Sequence, residues 1–281
     1  MRARNASFAA AVVAALAAFA PSARAQSEEP AVGVRASAEF GFLFTADHFI
    51  RFGVDGSRID YRRDGGQDNL YAFGRLSAEL DVRRRHQVTL LYQPLELVTR
   101  EVASRDLRID GLTFPSGTPM QFRYGFPFFR AGWHYDVLAA PDRELSFGVA
   151  LQLRNATIDF ESLDGRLFRG RSDVGIVPLL RARGRFPIGA SGAFFAFEVD
   201  GFYAPISVLN GSDNEVTGAI LDASVRVGWR VRPHVDLFVN LRYLGGGATG
   251  QGDPTPTSDG SQSNWLNFVA ITGGATLDSR R

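Results

Sequence analysis

The chain of 281 residues carries 31 basic side chains, every one an arginine, against 30 Asp+Glu, for a formal net charge of +1. That balance speaks against nucleic acid as a partner, which favours a strongly basic face. The absence of cysteine excludes disulfides, thiolate metal sites and cysteine nucleophiles, and a mean hydropathy of -0.07 excludes a bundle of membrane-spanning helices.

In chain order, the first element is a leader. Arg2 and Arg4 precede the apolar run AAAVVAALAAFA, followed by Pro21 and the small-residue pattern Ala23-Arg24-Ala25. This is the pattern of a secretory signal peptide over residues 1–25 with cleavage after Ala25, its apolar core falling short of the roughly 20 residues that span a bilayer. No cysteine follows the site to carry a lipid anchor. A polar linker over 26–36 comes next, and no helical period appears beyond it.

From residue 37 onward the chain divides into segments with period-2 alternation. The first, about 37–60, sets Phe40, Phe42, Phe44, Ile50, Phe52 and Val54 on one parity. The second, 70–83, sets Leu70, Leu76, Leu80 and Val82 against Arg75, Ser77, Glu79 and Asp81. The third, 87–103, and the fourth, 119–138, change parity at Pro94 and Pro127, as a β-bulge would require. In the fourth, Phe122, Tyr124 and Phe126 share a face that Trp133, Tyr135 and Val137 then take over. Further segments lie near 144–160, 172–186, 193–206, 217–231, 234–246 and 264–277.

The connections alternate in length. RRRH, AAPDR, PIGASG and a single Arg-Pro turn are short. DYRRDGGQDN, the stretch 104–118, SLDGRLFRGR, LNGSDNE and GGGATGQGDPTPTSDGSQS are longer and polar. Short turns on one side and long loops on the other are the mark of an outer-membrane barrel. The predicted fold is all-β: a closed antiparallel up-and-down transmembrane barrel over 37–281 with about ten strands, eight or twelve being the alternatives. Over the whole mature length the chain resembles the outer-membrane β-barrel proteins of Gram-negative bacteria, above all in the signal peptide and in segments 70–83, 172–186 and 217–246. The resemblance implies residence in the cell outer membrane as a monomer, with outer-membrane lipid, lipopolysaccharide and the barrel-insertion machinery as partners. The chain departs from such proteins in ending ATLDSRR, without a terminal aromatic.

If the apolar parity faces lipid, the other parity lines the lumen with Arg75, Glu79, Asp81, Arg130, His134, Asp136, Gln152, Arg154, Arg181, Arg183, Glu198, Asp200, Asp222, Arg226, Asp236, Asn240 and Arg242. A barrel this narrow can be filled by such side chains, because buried charges must be paired. Two lipid-facing aromatic girdles are expected, Trp133, Tyr135 and Trp229 near the short turns, and Phe160, Tyr203, Tyr243 and Trp265 near the long loops. The expected role is structural, that of a small pore, or surface interaction, with a charged and largely plugged lumen. Two alternatives are a membrane-embedded hydrolase or acyltransferase acting on envelope lipid, and a soluble periplasmic lipid-binding barrel with the apolar parity inside. For catalysis the candidates are His134 with Asp136, two residues apart on one face, and His48 beside Asp47. His86 and His234 fall in short turns, where water would solvate them. No metal or cofactor is expected. The run Gly245–Gly250 fits G-x-G-x-x-G, but no helix follows it and it reads as an external loop.

Overall fold

The computed structural model describes residues 32–205 and 215–280, so the signal peptide and most of the LNGSDNE connection lie outside the described residues. The strands are β1 (Val32–Phe52), β2 (Ile59–Asp60), β3 (Leu70–Val82), β4 (His86–Gln93), β5 (Glu96–Val102), β6 (Leu107–Ile109), β7 (Leu112–Phe114), β8 (Pro119–Gly125), β9 (Phe128–Asp136), β10 (Glu144–Ser162), β11 (Phe168–Ile188), β12 (Ala193–Pro205), β13 (Glu215–Arg232), β14 (Val235–Gln251) and β15 (Ser261–Asp278). Ten of them close a ring in the order β1, β3, β4, β9, β10, β11, β12, β13, β14, β15, with β15 pairing back onto β1. Every pair is antiparallel. Closure leaves the membrane-spanning wall no open edge, which hydrocarbon would not tolerate.

Pairing starts at Val32↔Val82, inside the stretch assigned above to a polar linker. Val32 and Val34 alternate with Gly33 and Arg35 and lie on the outer surface, so the strand pattern simply begins earlier. At the opposite limit, residues 245–250 belong to β14 rather than to a loop. The Tyr243 ring lies over Gly245, where a Cβ would collide with it.

The lower half of the barrel, toward the short turns, wears an apolar belt. Phe40, Leu90, Phe129, Leu151, Ile176, Val227 and Val239 are all exposed on its outer face. Their neighbours in sequence point inward, and Arg130 and Arg242 are among the largest fully buried side chains. By the usual orientation of such barrels the short turns mark the periplasmic end.

The upper half reverses the arrangement without changing register. On β10, Phe147, Val149, Leu151 and Leu153 face outward in the belt, and the same parity continues as Asn155, Thr157, Asp159 and Glu161. The inward parity runs from Ser146 and Gln152 to Ile158 and Phe160. The expected parity changes at Pro94 and Pro127 do not occur. Gln93↔Phe128 and Glu96↔Gly125 lie on one ladder, as do Arg154↔Phe128 and Thr157↔Gly125. Phe122 and Tyr124 therefore point inward with Arg130 and His134, not outward with Trp133. The prolines interrupt hydrogen bonding without inserting a residue. The one shift of this kind in β1 falls at Ala46, between Thr45 and Asp47. It turns Ile50 and Phe52 into the interior, where they are almost fully buried, while Phe40, Phe42 and Phe44 stay outside.

Above the belt, then, the barrel rises as a head with a polar exterior and an apolar core. Leu43, Ile50, Phe52, Phe73, Leu95, Leu97, Met120, Phe122, Ile158, Phe160 and Phe268 pack there, joined by Ile59 and Tyr61 from the first external loop. Phe160, expected in a girdle, is at its centre. The hairpin β6–β7 folds over the mouth and buries Leu107, Ile109 and Phe114. Its turn is Asp110-Gly111, with φ of 44° and 76°, the left-handed pair that a two-residue hairpin requires.

Candidate functional site

The interior of the belt is one connected set of ion pairs, and its centre is Asp222 on β13. Its two carboxylate oxygens accept from Arg75 Nη1 at 2.8 Å, Arg130 Nη1 at 2.9 Å and Arg242 Nη1 at 2.5 Å. These guanidinium groups come from β3, β9 and β14, so three walls of the barrel meet on one carboxylate. Arg130 also donates to Asp200, and its Nε and Nη2 reach Gln152 Oε1 at 3.0 and 2.6 Å. Asp200 takes Arg181 Nε at 2.5 Å. Arg242 extends the chain to Glu39 Oε1 at 3.0 Å, and Glu39 Oε2 accepts from Asn240 and Thr272. Nearer the periplasmic end, Arg183 joins Glu79 and Glu144 and donates to Gln87 Oε1 at 2.8 Å.

Such contacts answer the requirement that charge removed from water be paired. They also fill the bore. Gly132 shows how tightly: Arg181 Nη1 occupies the place a Cβ there would take. Glu39, Arg35 and Glu144 are members that the sequence reading did not include. Glu39 and Arg35 sit on the lumen parity of β1, and their spacing from Ser37 is the signal that would have found them.

Of the remaining residues expected in the lumen, Asp81, Asp236 and Arg154 sit at its ends, and Arg226 and Glu198 lie beside Glu39 and Arg242. Asp81 holds the RRRH turn by accepting Arg84 N at 2.8 Å and pairs with Arg280. Asp236 faces Arg185 at 2.9 Å. Arg154 stands at the top of the belt and pairs with Asp173. Arg226 lies over the Phe238 ring at 3.9 Å, and Glu198 takes Arg242 Nη2 at 3.4 Å.

The histidine candidates do not converge on carboxylates. His134 is buried with neither ring nitrogen hydrogen-bonded, and Asp136 Oδ1 accepts the turn amides of Leu138 and Leu145 at 3.0 and 3.2 Å. His48 is fully buried in the head, stacked on Tyr61 at 4.4 Å with Tyr124 edge-on at 4.6 Å, and its Nδ1 meets Gln67 Oε1 at 2.8 Å. Asp47 points to the opposite, outer face, within reach of Asn267. Burial pushes the Tyr61 hydroxyl well above its ordinary pKa, and the hydroxyl has no hydrogen-bond partner there. Among the described residues no group of three or more His, Cys, Asp or Glu could hold a metal. His86 is exposed and stacks on Trp133 at 5.9 Å, and His234 Nδ1 meets Asp278 O at 3.0 Å.

Of the expected girdle, Trp133, Trp229 and Tyr203 are exposed on the outer face. Tyr135 accepts Arg85 Nη1 at 3.1 Å, and Tyr243 donates to Asn267 at 2.5 Å. Trp265 is half-buried one pleat beyond Asn267, bonded to Thr249, and belongs to the wall of the head.

The β6–β7 hairpin is latched across the mouth through its turn residue Asp110. Arg171 Nε and Nη2 grip both Asp110 oxygens at 2.8 and 2.6 Å, and Ser258 Oγ adds a third bond at 2.9 Å. Asp259 ties the last external loop to the first by accepting Val54 N and Ser261 N at 2.7 and 2.8 Å, and these bonds hold its carboxyl below the usual range.

No protein-family model and no curated protein matches the chain. Among solved structures it is similar to the outer membrane protease OmpT from Escherichia coli, at 11% identity over 90% of this chain and 99% of that one, with a TM-score of 0.49. It is similar also to Ail, the attachment invasion locus protein of Yersinia pestis, at 10% identity over 87% and 98% of the two chains with a TM-score of 0.37. Neisserial surface protein A aligns at 12% identity over 88% and 96%, with a TM-score of 0.33. The closed ring, the apolar belt and the ion-paired bore together make this chain a ten-stranded transmembrane β-barrel of the antiparallel up-and-down type.

Proposed function

We propose that this protein is a sealed outer-membrane barrel whose role is structural or one of surface interaction through its external head, and that it is neither an open pore nor an enzyme. The observation that supports this most directly is the double closure of the interior. Ion pairs centred on Asp222 fill the belt, and the apolar core under the latched hairpin fills the head. A bore blocked by dehydrated ion pairs and then by close-packed phenylalanines offers ions no hydrated path.

The non-catalytic reading is supported by the seats of the two histidines. His48 is walled in by Tyr61, Tyr124 and Phe268, and His134 has no hydrogen-bonded carboxylate. Outward arginines just above the belt, Arg51, Arg100 and Arg123, stand where lipopolysaccharide headgroups would lie. Reconstitution into planar bilayers tests the proposal: no stepwise conductance is expected, and a stable open channel from the folded protein would overturn it.

A further inference from the structure

We infer that the periplasmic turn Arg83-Arg84-Arg85-His86, with Trp133 and Tyr135 beside it, binds the headgroup of an anionic phospholipid. The first observation is conformational. Arg85 N donates to Val82 O at 3.2 Å, and the two residues between them, Arg83 and Arg84, have φ of 53° and 55°. Two successive left-handed residues in a tight hairpin turn are ordinarily Asn-Gly, Asp-Gly or Gly-Gly, because a Cβ is disfavoured there. The PIGASG turn follows that preference, with Gly189 and Gly192 at φ of 61° and 79°. Arginine in the left-handed region costs backbone energy, and strain of this kind clusters where a function requires it.

The second observation is uncompensated charge at the surface. Arg83, Arg85 and His86 are exposed. Among the described residues the Arg83 side chain has no hydrogen-bonded or ionic partner. Arg85 reaches no carboxylate; its Nη1 donates to the Tyr135 hydroxyl at 3.1 Å and its guanidinium lies 5.7 Å from that ring. The acids of these hairpins are buried and engaged, Asp81 with Arg280 and the Arg84 amide, Asp136 with the amides of Leu138 and Leu145. In the next turn Asp142 and Arg143 pair with each other. Even with Asp136 set against one arginine, positive charge remains.

The third observation is continuity with the belt. Leu90, Val88 and His86 descend one face of β4 to the turn, and Trp133 stacks on His86 at 5.9 Å. Leu90, Val88 and Trp133 are exposed to the lipid side. The arginines therefore stand just below lipid-facing side chains, at headgroup level, where aromatic rings and basic residues anchor a protein to an anionic leaflet. A lipid phosphate there accepts from Arg83 and Arg85 while its acyl chains lie against Val88 and Trp133.

Trp133 reports on this site. In a Trp229→Phe, Trp265→Phe background it is the sole tryptophan of the full chain. The folded protein is placed in phosphatidylcholine vesicles containing equal fractions of brominated phosphatidylglycerol or brominated phosphatidylcholine, and quenching of Trp133 is compared. A preference of about fivefold for phosphatidylglycerol is expected, the effect of one arginine near an anionic surface. It should fall as salt is raised. Arg83→Gly, which suits the left-handed turn and so keeps the fold, combined with Arg85→Gln should bring the two lipids to about equal quenching. Arg232→Gln, on the far side of the ring, should leave the preference intact. Equal quenching by both lipids with the turn unaltered, or equal loss with Arg232→Gln, would overturn the inference. So would a preference that appears only after Glu28→Gln and Glu29→Gln, since the turn would then belong to the chain's own acidic segment ahead of Val32.

Discussion

The belt and the head are built from the same strands yet obey opposite rules. In the belt the outer face is apolar and the inner face charged; in the head the outer face is charged and the inner face apolar. On β10 the change comes within a few residues, from Leu151 and Leu153 to Thr157 and Asp159 on the outside, and from Gln152 to Ile158 and Phe160 within. What changes is the solvent. Lipid accepts Leu151 and rejects a carboxylate, so the belt hides its charges inside. Water reverses both preferences, so the head packs like a small soluble domain. Strand geometry is indifferent to this, because alternation requires only that neighbours face opposite ways.

That comparison can be broken at either storey. Asp222→Ala strands three buried guanidinium groups and should cost about 3–5 kcal/mol. It should lower the urea midpoint at which heat-modifiable gel mobility is lost for the whole barrel. Phe160→Ala removes a ring packed against Phe52, Tyr61 and Phe122 and should also cost about 3–5 kcal/mol. Its effect should stay in the head: limited proteolysis would find the 104–118 loop exposed while the barrel keeps its folded mobility. Equal collapse of both halves in both variants would show that they are one cooperative unit.

The lipid–water boundary is tested by one side chain at two heights of the same outward parity. Leu151→Arg lies in the belt and should destabilise by about 2–4 kcal/mol. Glu161→Arg lies in the head and should stay within about 0.5 kcal/mol, both read from unfolding in lipid vesicles. Equal costs would remove the boundary drawn here.

The smallest effect is pH-dependent. Asp259 has its carboxyl held below the ordinary value by the amides of Val54 and Ser261. Its contribution is therefore present above the unfolded value of about 3.9 and is lost as pH falls through the lower folded value. Protease cutting in residues 252–260 should rise below about pH 4 in the native chain. Asp259→Asn should abolish that pH step.

Much of the belt was legible because its signals are local. Alternation in 217–231 and 234–246 placed Val225, Val227 and Trp229 outside and Asp222 inside, and the short Arg-Pro turn joined them. The head was misread at the points where the inward parity became apolar. Phe122 and Tyr124 resembled a continuation of the lipid face, and a bulge at Pro127 was needed to reconcile them with Trp133. The true bulge at Ala46 had no such marker, since Phe44, Ile50 and Phe52 share one parity and look continuous. The outward charges Glu96, Arg123, Asp159 and Glu161 were the available sign that the surroundings had changed.

The sequence by itself pointed to about ten strands, to the short turns between them and, within the belt, to the side chains on opposite faces, because these follow from a two-residue period and from loop lengths. Only the tertiary structure decided which face is inside at each height and which charges meet. Asp222 draws its partners from 147, 92 and 20 residues away. Arg242 comes from the neighbouring strand, but the encounters with Arg75 and Arg130 exist only because the ring closes, and closure is a property of all ten strands at once.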